Sequence, residues 1–270
     1  SAFLAGILVA PAYWWANTLL ARDRGFVQVG LFGVAFALCQ LIMVVPNSLS
    51  IPAISFMSET YASPESDRFS ALVGANLRLV WALTLPISLG CALFAPWIVT
   101  LLFGAAYQNA APLAFVMSLV GLLMAINSVI GYAIAASGRM WYGFGINTFW
   151  LVVFLACSFF LVPMWGSLGL AMSFAISYLT FSILVWKCSV WLLGIVYEKL
   201  LLLTFLTGTF CALALGVGLI PGRVVRPAAA AGLLLGLAAS EWKWVLTSAE
   251  KSALAGFVRR GRTMMEACFG

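Results

Sequence analysis

The sequence contains no histidine, and only 8% of its 270 residues are charged. Between Asp67 and Glu198 it has no carboxylate at all. A general acid and base, or a carboxylate metal site, therefore cannot be assembled within the main hydrophobic block. These absences argue against an enzyme, and no cofactor or metal is expected.

Cysteine and basic residues are sparse as well. The six cysteines are scattered through apolar runs without a close pair, which indicates neither a zinc site nor a disulfide framework. The net charge is +6, but no basic stripe is interleaved with aromatic residues, so a nucleic acid partner is not indicated. The positive charge lies in short hydrophilic breaks, which points to membrane lipid and to orientation in a membrane.

Apolar residues make up 64% of the chain, and its mean hydropathy is +1.10. Since a membrane-spanning helix needs about 20 apolar residues, this composition predicts an all-α, polytopic bundle of about eight transmembrane helices, with seven as the alternative. The predicted spans are about 2–21, 27–58, 69–94, 111–137, two within 140–186 divided at 162–166, 200–220 and 227–246.

Lysine and arginine in alternate breaks predict the orientation, because positive residues are retained on the cytoplasmic side. The richer set contains Arg68, Arg139, Lys187, Lys199 and the last 24 residues, whereas the other set contains Arg22, Arg24, Arg223 and Arg226. Both ends of the chain are therefore expected to be cytoplasmic. The segment Thr247 to Glu250 matches a helix capping box, which predicts an amphipathic basic tail over 247–270.

The first residue is Ser1, and an apolar span follows at once without a positively charged leader. A cleavable signal peptide does not fit, because Trp14, Trp15 and Asn17 lie where small residues are expected. The chain is therefore expected to be the later part of a longer membrane protein.

Glycine and proline at the predicted helix ends form a series of short motifs. They are VGLFGVA at 29–35, the segment 49–55 with its Pro52, LLFGAAY at 101–107, AASGR at 135–139 and VPMWGSLGLA at 162–171. In this order and spacing they resemble the polysaccharide exporters of the multidrug/oligosaccharidyl-lipid/polysaccharide (MOP) flippase superfamily, over about residues 1–195.

This resemblance implies a transporter with two six-helix lobes, which flips an oligosaccharide linked to polyprenyl diphosphate across the cytoplasmic (inner) membrane by alternating access. Residues 1–195 would be its C-terminal lobe, 196–246 two additional transmembrane helices and 247–270 the tail, and the N-terminal lobe would be missing. The family's central cavity is commonly cationic, but this sequence has just one cation deep in a span of the lobe. It also lacks intramembrane acids there, so carboxylate-based proton coupling cannot be placed on it.

Three alternatives remain open. A multidrug exporter of the same superfamily is expected to have a more acidic or aromatic pocket. A membrane-embedded glycosyltransferase or ligase of cell-surface glycans would need a sizeable polar loop, and the longest loop here has about ten residues. A scaffold subunit without transport activity is also compatible with the sequence.

Arg78 is the candidate ligand of the substrate diphosphate. It follows Arg68 by ten residues, which places it up to about 15 Å below the loop. Its helical face carries small residues, among them Gly74 and Ala75, and a cation at that depth is expected to face a cavity or a partner. Alternatively, the span begins late and Arg78 extends to the inner headgroups.

Gln40 and Asn47 are the other candidate substrate-binding residues. They lie seven residues apart, hence on one helical face, beside Pro46 and Pro52, which leave backbone carbonyls without a donor. Such a broken helix could line the translocation path, or its amides could bond to neighbouring helices. Asn127 and Asn147 are expected only to form interhelical hydrogen bonds. Interface anchors are predicted at Tyr13, Trp14, Trp15, Trp141, Tyr142 and Trp165.

Overall fold

The computed structural model describes residues 2–62, 66–193, 200–219 and 225–241, and all regular structure within these ranges is helical. The helices are α1 (Ala2–Arg24), α2 (Phe26–Ala62), α3 (Ser66–Leu93), α4 (Ala95–Phe103), a 3₁₀ helix (Ala105–Ala110), α5 (Ala111–Ala136), α6 (Met140–Trp165), α7 (Ser167–Leu193), α8 (Leu200–Leu219) and α9 (Val225–Ser240).

The long helices occupy the predicted spans. Among the described residues, five stretches are long and apolar enough to cross a membrane: Phe26–Tyr61, Arg68–Leu93, Ala105–Ala136, Met140–Trp165 and Ser167–Leu193. The short α4 and the 3₁₀ helix divide the charge-free stretch into two crossings, as expected. The prediction of a polytopic helical membrane bundle is thus confirmed, whereas the basic tail at 247–270 lies outside the described residues.

Glycine produces the tight reversals between consecutive helices. Gly25 joins α1 to α2 with φ 85°, and Gly166 joins α6 to α7 with φ 60°. Residues with a β-carbon seldom adopt this left-handed conformation, whereas glycine does so without steric cost. The neighbouring helices are therefore antiparallel with almost no loop between them.

These two turns lie at the same end of the bundle, here called the Arg24 end. The Arg24 guanidinium donates to the carbonyl oxygens of Pro163 and Met164, the second at 3.1 Å. The Ser167 hydroxyl donates to Oε1 of Gln28. Carbonyls in the last turn of a helix lack intrahelical donors and attract positive charge, so Arg24 stabilises the end of α6.

The opposite end, here called the Arg139 end, is held by different contacts. Arg139 Nη1 donates to the carbonyl oxygen of Leu192, at the end of α7, over 2.6 Å. Tyr142 and Trp191 pack edge to face with ring centroids 6.2 Å apart. Successive connections between the helices from α1 to α7 therefore alternate between the Arg24 end and the Arg139 end.

The core is centred on α5, which packs against α2, α3 and α7. Beside it, α1, α6 and α7 contribute a cluster of aromatic rings. Tyr13 packs edge to face with Trp150 and Phe154, at centroid distances of 6.0 and 6.1 Å. The expectation that Tyr13 is an interface anchor is therefore wrong, because its ring lies inside the bundle. Trp15 is partly buried against the core, whereas Trp14, Trp141, Tyr142 and Trp165 are exposed, and their role as anchors stays a prediction.

Helices α8 and α9 pack against each other and against α3. Trp81 and Leu85 of α3 form a buried cluster with Ala214 of α8 and Ala230 of α9. The Trp81 indole nitrogen also donates to the Thr207 hydroxyl, 2.9 Å away. The pair thus adds a second layer on one side of α3, beyond the helices of the predicted lobe.

Candidate functional site

Helix α2 presents a row of polar side chains on its exposed face. The row, here called the α2 stripe, consists of Gln40, Asn47, Ser48 and Ser55, all exposed and all within one side of the helix. Pro52 also removes the amide that would bond to the Ser48 carbonyl, which adds a polar acceptor to the stripe. The exposed Val44 and Ile51 lie among them on the same side, so the face is mixed and not uniformly polar. Amides and hydroxyls are costly against hydrocarbon, so the polar part of this face is suited to an aqueous path or a protein surface.

The structure brings Gln40 and Asn47 onto the same exposed face, as their spacing predicts. Asn47 Oδ1 accepts a hydrogen bond from the Tyr132 hydroxyl of α5, with 3.0 Å between the oxygens. Asn47 therefore both bonds to a neighbouring helix and borders the exposed face. Gln40 forms no hydrogen bond within the described part of the chain.

Arg78 lies half-buried near the middle of α3. A β-carbon at Gly74 would be 3.6 Å from Nη1 of Arg78, so the guanidinium extends along the helix over Gly74. This is the direction of the Arg139 end, where α3 begins. The absence of a side chain at Gly74 provides the space for this conformation.

The neighbours of Arg78 on α3 show which way it faces. The Asn76 amide donates to the Ser50 hydroxyl of α2 at 3.0 Å, which marks the side of α3 that meets α2. Arg78 lies about 200° around the helix axis from Asn76, so it is on nearly the opposite side of α3. It precedes Trp81, which contacts α8, by about one helical turn. The structure thus places Arg78 on the α8 side of α3, and it does not bring Arg78 together with the α2 stripe.

A cavity of about 390 Å³ lies between α5 and α6, in the half of the bundle nearer the Arg139 end. These helices are consecutive but make few direct contacts, because α7 packs against both of them. The cavity is lined by Val9, Met43, Met124, Asn127, Ser128, Gly131, Tyr132, Ile134, Ala135, Met140, Gly143, Phe144, Asn147, Trp150, Tyr178 and Phe181.

The cavity contains the two asparagines that were expected to join helices. Asn127 does so, because its amide nitrogen donates to the Ser182 hydroxyl of α7 at 2.7 Å. Asn147 does not, since its amide nitrogen donates to the carbonyl oxygen of Gly143 within α6, at 2.8 Å. Their shared cavity was missed from the sequence, although polar residues at 127, 128 and 132 in an otherwise apolar span were a signal for it.

Tyr132 connects the cavity with the α2 stripe, since it lines the cavity and its hydroxyl bonds to Asn47. Tyr132 therefore links one residue of the α2 stripe to a cavity whose lining is mainly apolar. No charged side chain lines the cavity in the part of the chain that the structure describes. Within the same ranges, no three potential metal ligands lie close enough together to hold an ion.

A multi-pass bundle with polar side chains on the exposed face of a spanning helix and a mainly apolar cavity that contains a few polar groups is compatible with a membrane transporter. The chain belongs to the lipid II flippase MurJ family, whose family model matches residues 31–235. This confirms the resemblance to lipid-linked glycan flippases that the helix-end motifs indicated.

Two curated proteins are similar to the chain. Both are the EPS I polysaccharide export inner membrane protein EpsE, one from Ralstonia nicotianae and one from Ralstonia solanacearum. The chain is 30% identical to the first over 174 residues and 30% identical to the second over 177 residues. Each match covers 62% of this chain and 39% of the relative's length. No solved structure matches the chain.

Proposed function

We propose that the chain is the C-terminal lobe of an inner-membrane transporter that flips lipid-linked oligosaccharide or polysaccharide precursors by alternating access. The observation that carries this proposal is the α2 stripe, a row of exposed polar side chains among apolar ones on a helix that is long and apolar enough to span the membrane. Family membership and the similarity to EpsE support it. The substrate is moved and not chemically changed, so the protein acts as a transporter and not as an enzyme.

The α2 stripe indicates that the lobe faces a second part of the transporter. The chain spans 39% of the length of its curated relatives, which leaves room for a second lobe in proteins of that size. An N-terminal lobe facing the stripe would enclose a polar path, with Gln40 and Asn47 on its wall. Residues 196–246 then add two helices beside α3, and the basic tail at 247–270 contacts anionic lipid from the cytoplasmic side.

Arg78 is proposed to bind the diphosphate of the lipid carrier. Arginine can hold phosphate oxygens with two parallel hydrogen bonds, and its half-buried position in the middle of α3 reduces competition from water. Because Arg78 lies on the α8 side of α3, this role places the diphosphate away from the α2 stripe. Gln40 and Asn47 would then contact another part of the substrate.

A second candidate function is multidrug export. The aromatic rings of Phe144, Trp150, Tyr178 and Phe181 in the cavity wall favour it, because planar drugs stack on such surfaces. The absence of charged residues from the described lining argues against it for cationic drugs. The two functions are separated by measuring drug resistance alongside polysaccharide export.

The proposed function is tested by complementation of a flippase-null strain. We expect the complete coding region to restore surface polysaccharide and the 270-residue chain alone to restore none, because one lobe cannot close a cavity that lies between two. Surface polysaccharide is measured at matched membrane abundance, with resistance to a panel of drugs as the second readout. Restoration by the chain alone would contradict the two-lobe proposal, and drug resistance without polysaccharide would favour the second candidate.

The orientation is tested by cysteine labelling in a background without the native cysteines. A cysteine at Gln108, which is exposed in the 3₁₀ helix, is expected to react with an impermeant reagent added from outside. A cysteine at Met140, exposed at the opposite end, is expected to react only after the membrane is permeabilised. The same contrast is expected between Gly222 and Arg260, which lie outside the described residues. The reverse pattern would overturn the cytoplasmic assignment of the Arg139 end.

A further inference from the structure

Two exposed cations and two exposed aromatic rings lie together where α6 begins and α7 ends. Trp191 of α7 is 75% exposed and Tyr142 of α6 is 47% exposed, and their rings contact each other edge to face. The exposed Lys187 precedes Trp191 by one helical turn, and the exposed Arg139 precedes Tyr142 by three residues. These four residues, here called the α6–α7 cluster, belong neither to the α2 stripe nor to the cavity.

The side of α7 that carries Lys187 faces the membrane lipid. Ile183 and Val190 lie about 40° and 60° from Lys187 around the helix axis, and they are 60% and 51% exposed. Val185 lies about 160° from Lys187 and is buried in the bundle. Since α7 is long and apolar enough to span a membrane, its exposed aliphatic side chains are suited to contact with acyl chains.

The α6–α7 cluster lies at the depth of the lipid headgroups. The 27 residues of α7 extend about 40 Å, which is about 10 Å more than the hydrocarbon core of a bilayer. The last turn of α7, with Trp191, is therefore expected among the headgroups, where tryptophan and tyrosine are enriched. Lys187 lies one turn deeper, and its flexible side chain can extend to bring the ammonium group to the same level.

The positive charge of the α6–α7 cluster is not compensated within the described part of the chain. Lys187 forms no hydrogen bond or ion pair there. Arg139 donates from Nη1 to the carbonyl oxygen of Leu192, which is a neutral acceptor. No carboxylate occurs between Asp67 and Glu198, so α5, α6 and α7 carry none. Two neighbouring cations without a carboxylate favour an anionic ligand from outside the chain.

An anionic phospholipid fits this surface better than a soluble anion does. Its phosphate lies at the level of the two cations, and its acyl chains continue along the apolar side of α7. A free phosphate ion would contact the cations but not the apolar side. A zwitterionic phospholipid has the same acyl chains, but its own cation would lie close to Lys187 and Arg139 and would weaken the attraction.

We propose that the α6–α7 cluster binds the headgroup of an anionic phospholipid, with an acyl chain along Ile183. The lipid phosphate accepts hydrogen bonds from Lys187 and from the remaining N–H groups of Arg139, and Trp191 and Tyr142 flank the headgroup. The bound lipid joins the beginning of α6 to the end of α7. These two helices are connected through Gly166 only at the opposite end, so the lipid stabilises their packing where no turn does.

The test is photo-cross-linking of the complete protein in nanodiscs with equal amounts of phosphatidylglycerol and phosphatidylcholine that have identical acyl chains. Photoreactive benzoylphenylalanine replaces Ile183, and the two lipids are labelled in turn. We expect phosphatidylglycerol to be cross-linked about ten- to thirtyfold more than phosphatidylcholine. Lys187→Gln should reduce this preference about fivefold, which corresponds to about 1 kcal/mol for one cation near the membrane surface. Arg139→Gln, which retains a donor for Leu192, should reduce it by a similar factor.

Benzoylphenylalanine at Val152 is the matched control. Val152 is 61% exposed, and its helix α6 contains no charged residue, so both lipids should be cross-linked equally there. Equal cross-linking of both lipids at Ile183 would refute the site, and so would a preference that survives in the double variant of Lys187 and Arg139. The same preference at Val152 would indicate general enrichment and not a site. Loss of the preference with excess soluble glycerol phosphate would indicate a phosphate site and contradict the lipid. No transported substrate is used, so the proposed function stands or falls separately.

Discussion

Replacing Arg78 with alanine in the complete protein is expected to reduce polysaccharide export to near background, whereas Arg78→Lys should keep a measurable part. The reason is that lysine retains the positive charge but cannot form the two parallel hydrogen bonds that arginine offers to phosphate oxygens. Surface polysaccharide is measured in a flippase-null strain at matched membrane abundance. Unchanged export by Arg78→Ala would contradict the assignment.

A variant of the neighbouring Trp81 distinguishes substrate binding by Arg78 from a structural role of Arg78. Trp81 contacts α8 through its bond to Thr207, so Trp81→Phe removes one contact between α3 and α8 without changing the charge. We expect this control to retain export. If Arg78→Ala instead lowers the abundance of the protein and leaves export per molecule unchanged, the arginine stabilises the helix packing and does not bind the substrate.

Gly169→Ala is expected to cause the largest loss of stability. A β-carbon at this position would lie 2.0 Å from the carbonyl oxygen of Leu161 and 2.5 Å from its carbonyl carbon. Backbone atoms cannot rotate away as a side chain does, so α7 would have to move away from α6. Overpacking typically costs about 1–3 kcal/mol, and a backbone clash this close is expected at or above that range. Thermal unfolding in detergent and membrane abundance are the measurements.

Gly145→Ala is the matched control for this experiment. Gly145 also lies in a helix of the same pair, and a β-carbon there would have no heavy atom within 4 Å. Because alanine favours a helix by up to about 1 kcal/mol over glycine, the control should be as stable as the wild type or slightly more stable. An unfolding temperature of Gly169→Ala equal to that of Gly145→Ala would show that the close approach of α6 and α7 is not required.

Much of the fold was predictable, because the length of an apolar run is a property of the sequence alone. The division of the charge-free stretch by α4 and the 3₁₀ helix, and the turn at Gly166, follow directly from glycine, proline and span length. The course of α2 could not be predicted in the same way. The two prolines indicated an interrupted helix, but α2 continues through Pro46 and Pro52 as far as Ala62. Neighbouring helices can compensate the bonds that proline removes in a membrane helix, and the local sequence does not show this.

The candidate site was predictable only within single helices. The seven-residue spacing was enough to place Gln40 and Asn47 on one face, since helical periodicity determines it. The direction of Arg78 depends on which helix packs on each side of α3, and the burial of Tyr13 depends on α6 and α7. The cavity was missed for the same reason, because its Asn127 and Trp150 belong to different helices and meet only through tertiary packing.

The length of α2 has a consequence for movement during transport. Its 37 residues extend about 55 Å, more than the roughly 40–45 Å of a whole bilayer, so at an average tilt of about 20° the helix projects into water. Pro52 lies about 15 Å before its last residue, and a change of 20° in bend there would shift that terminus by about 5 Å. Tyr61 near the terminus packs on Phe69 of α3, with ring centroids 5.0 Å apart. Bending at one proline would therefore also displace the beginning of the helix that carries Arg78.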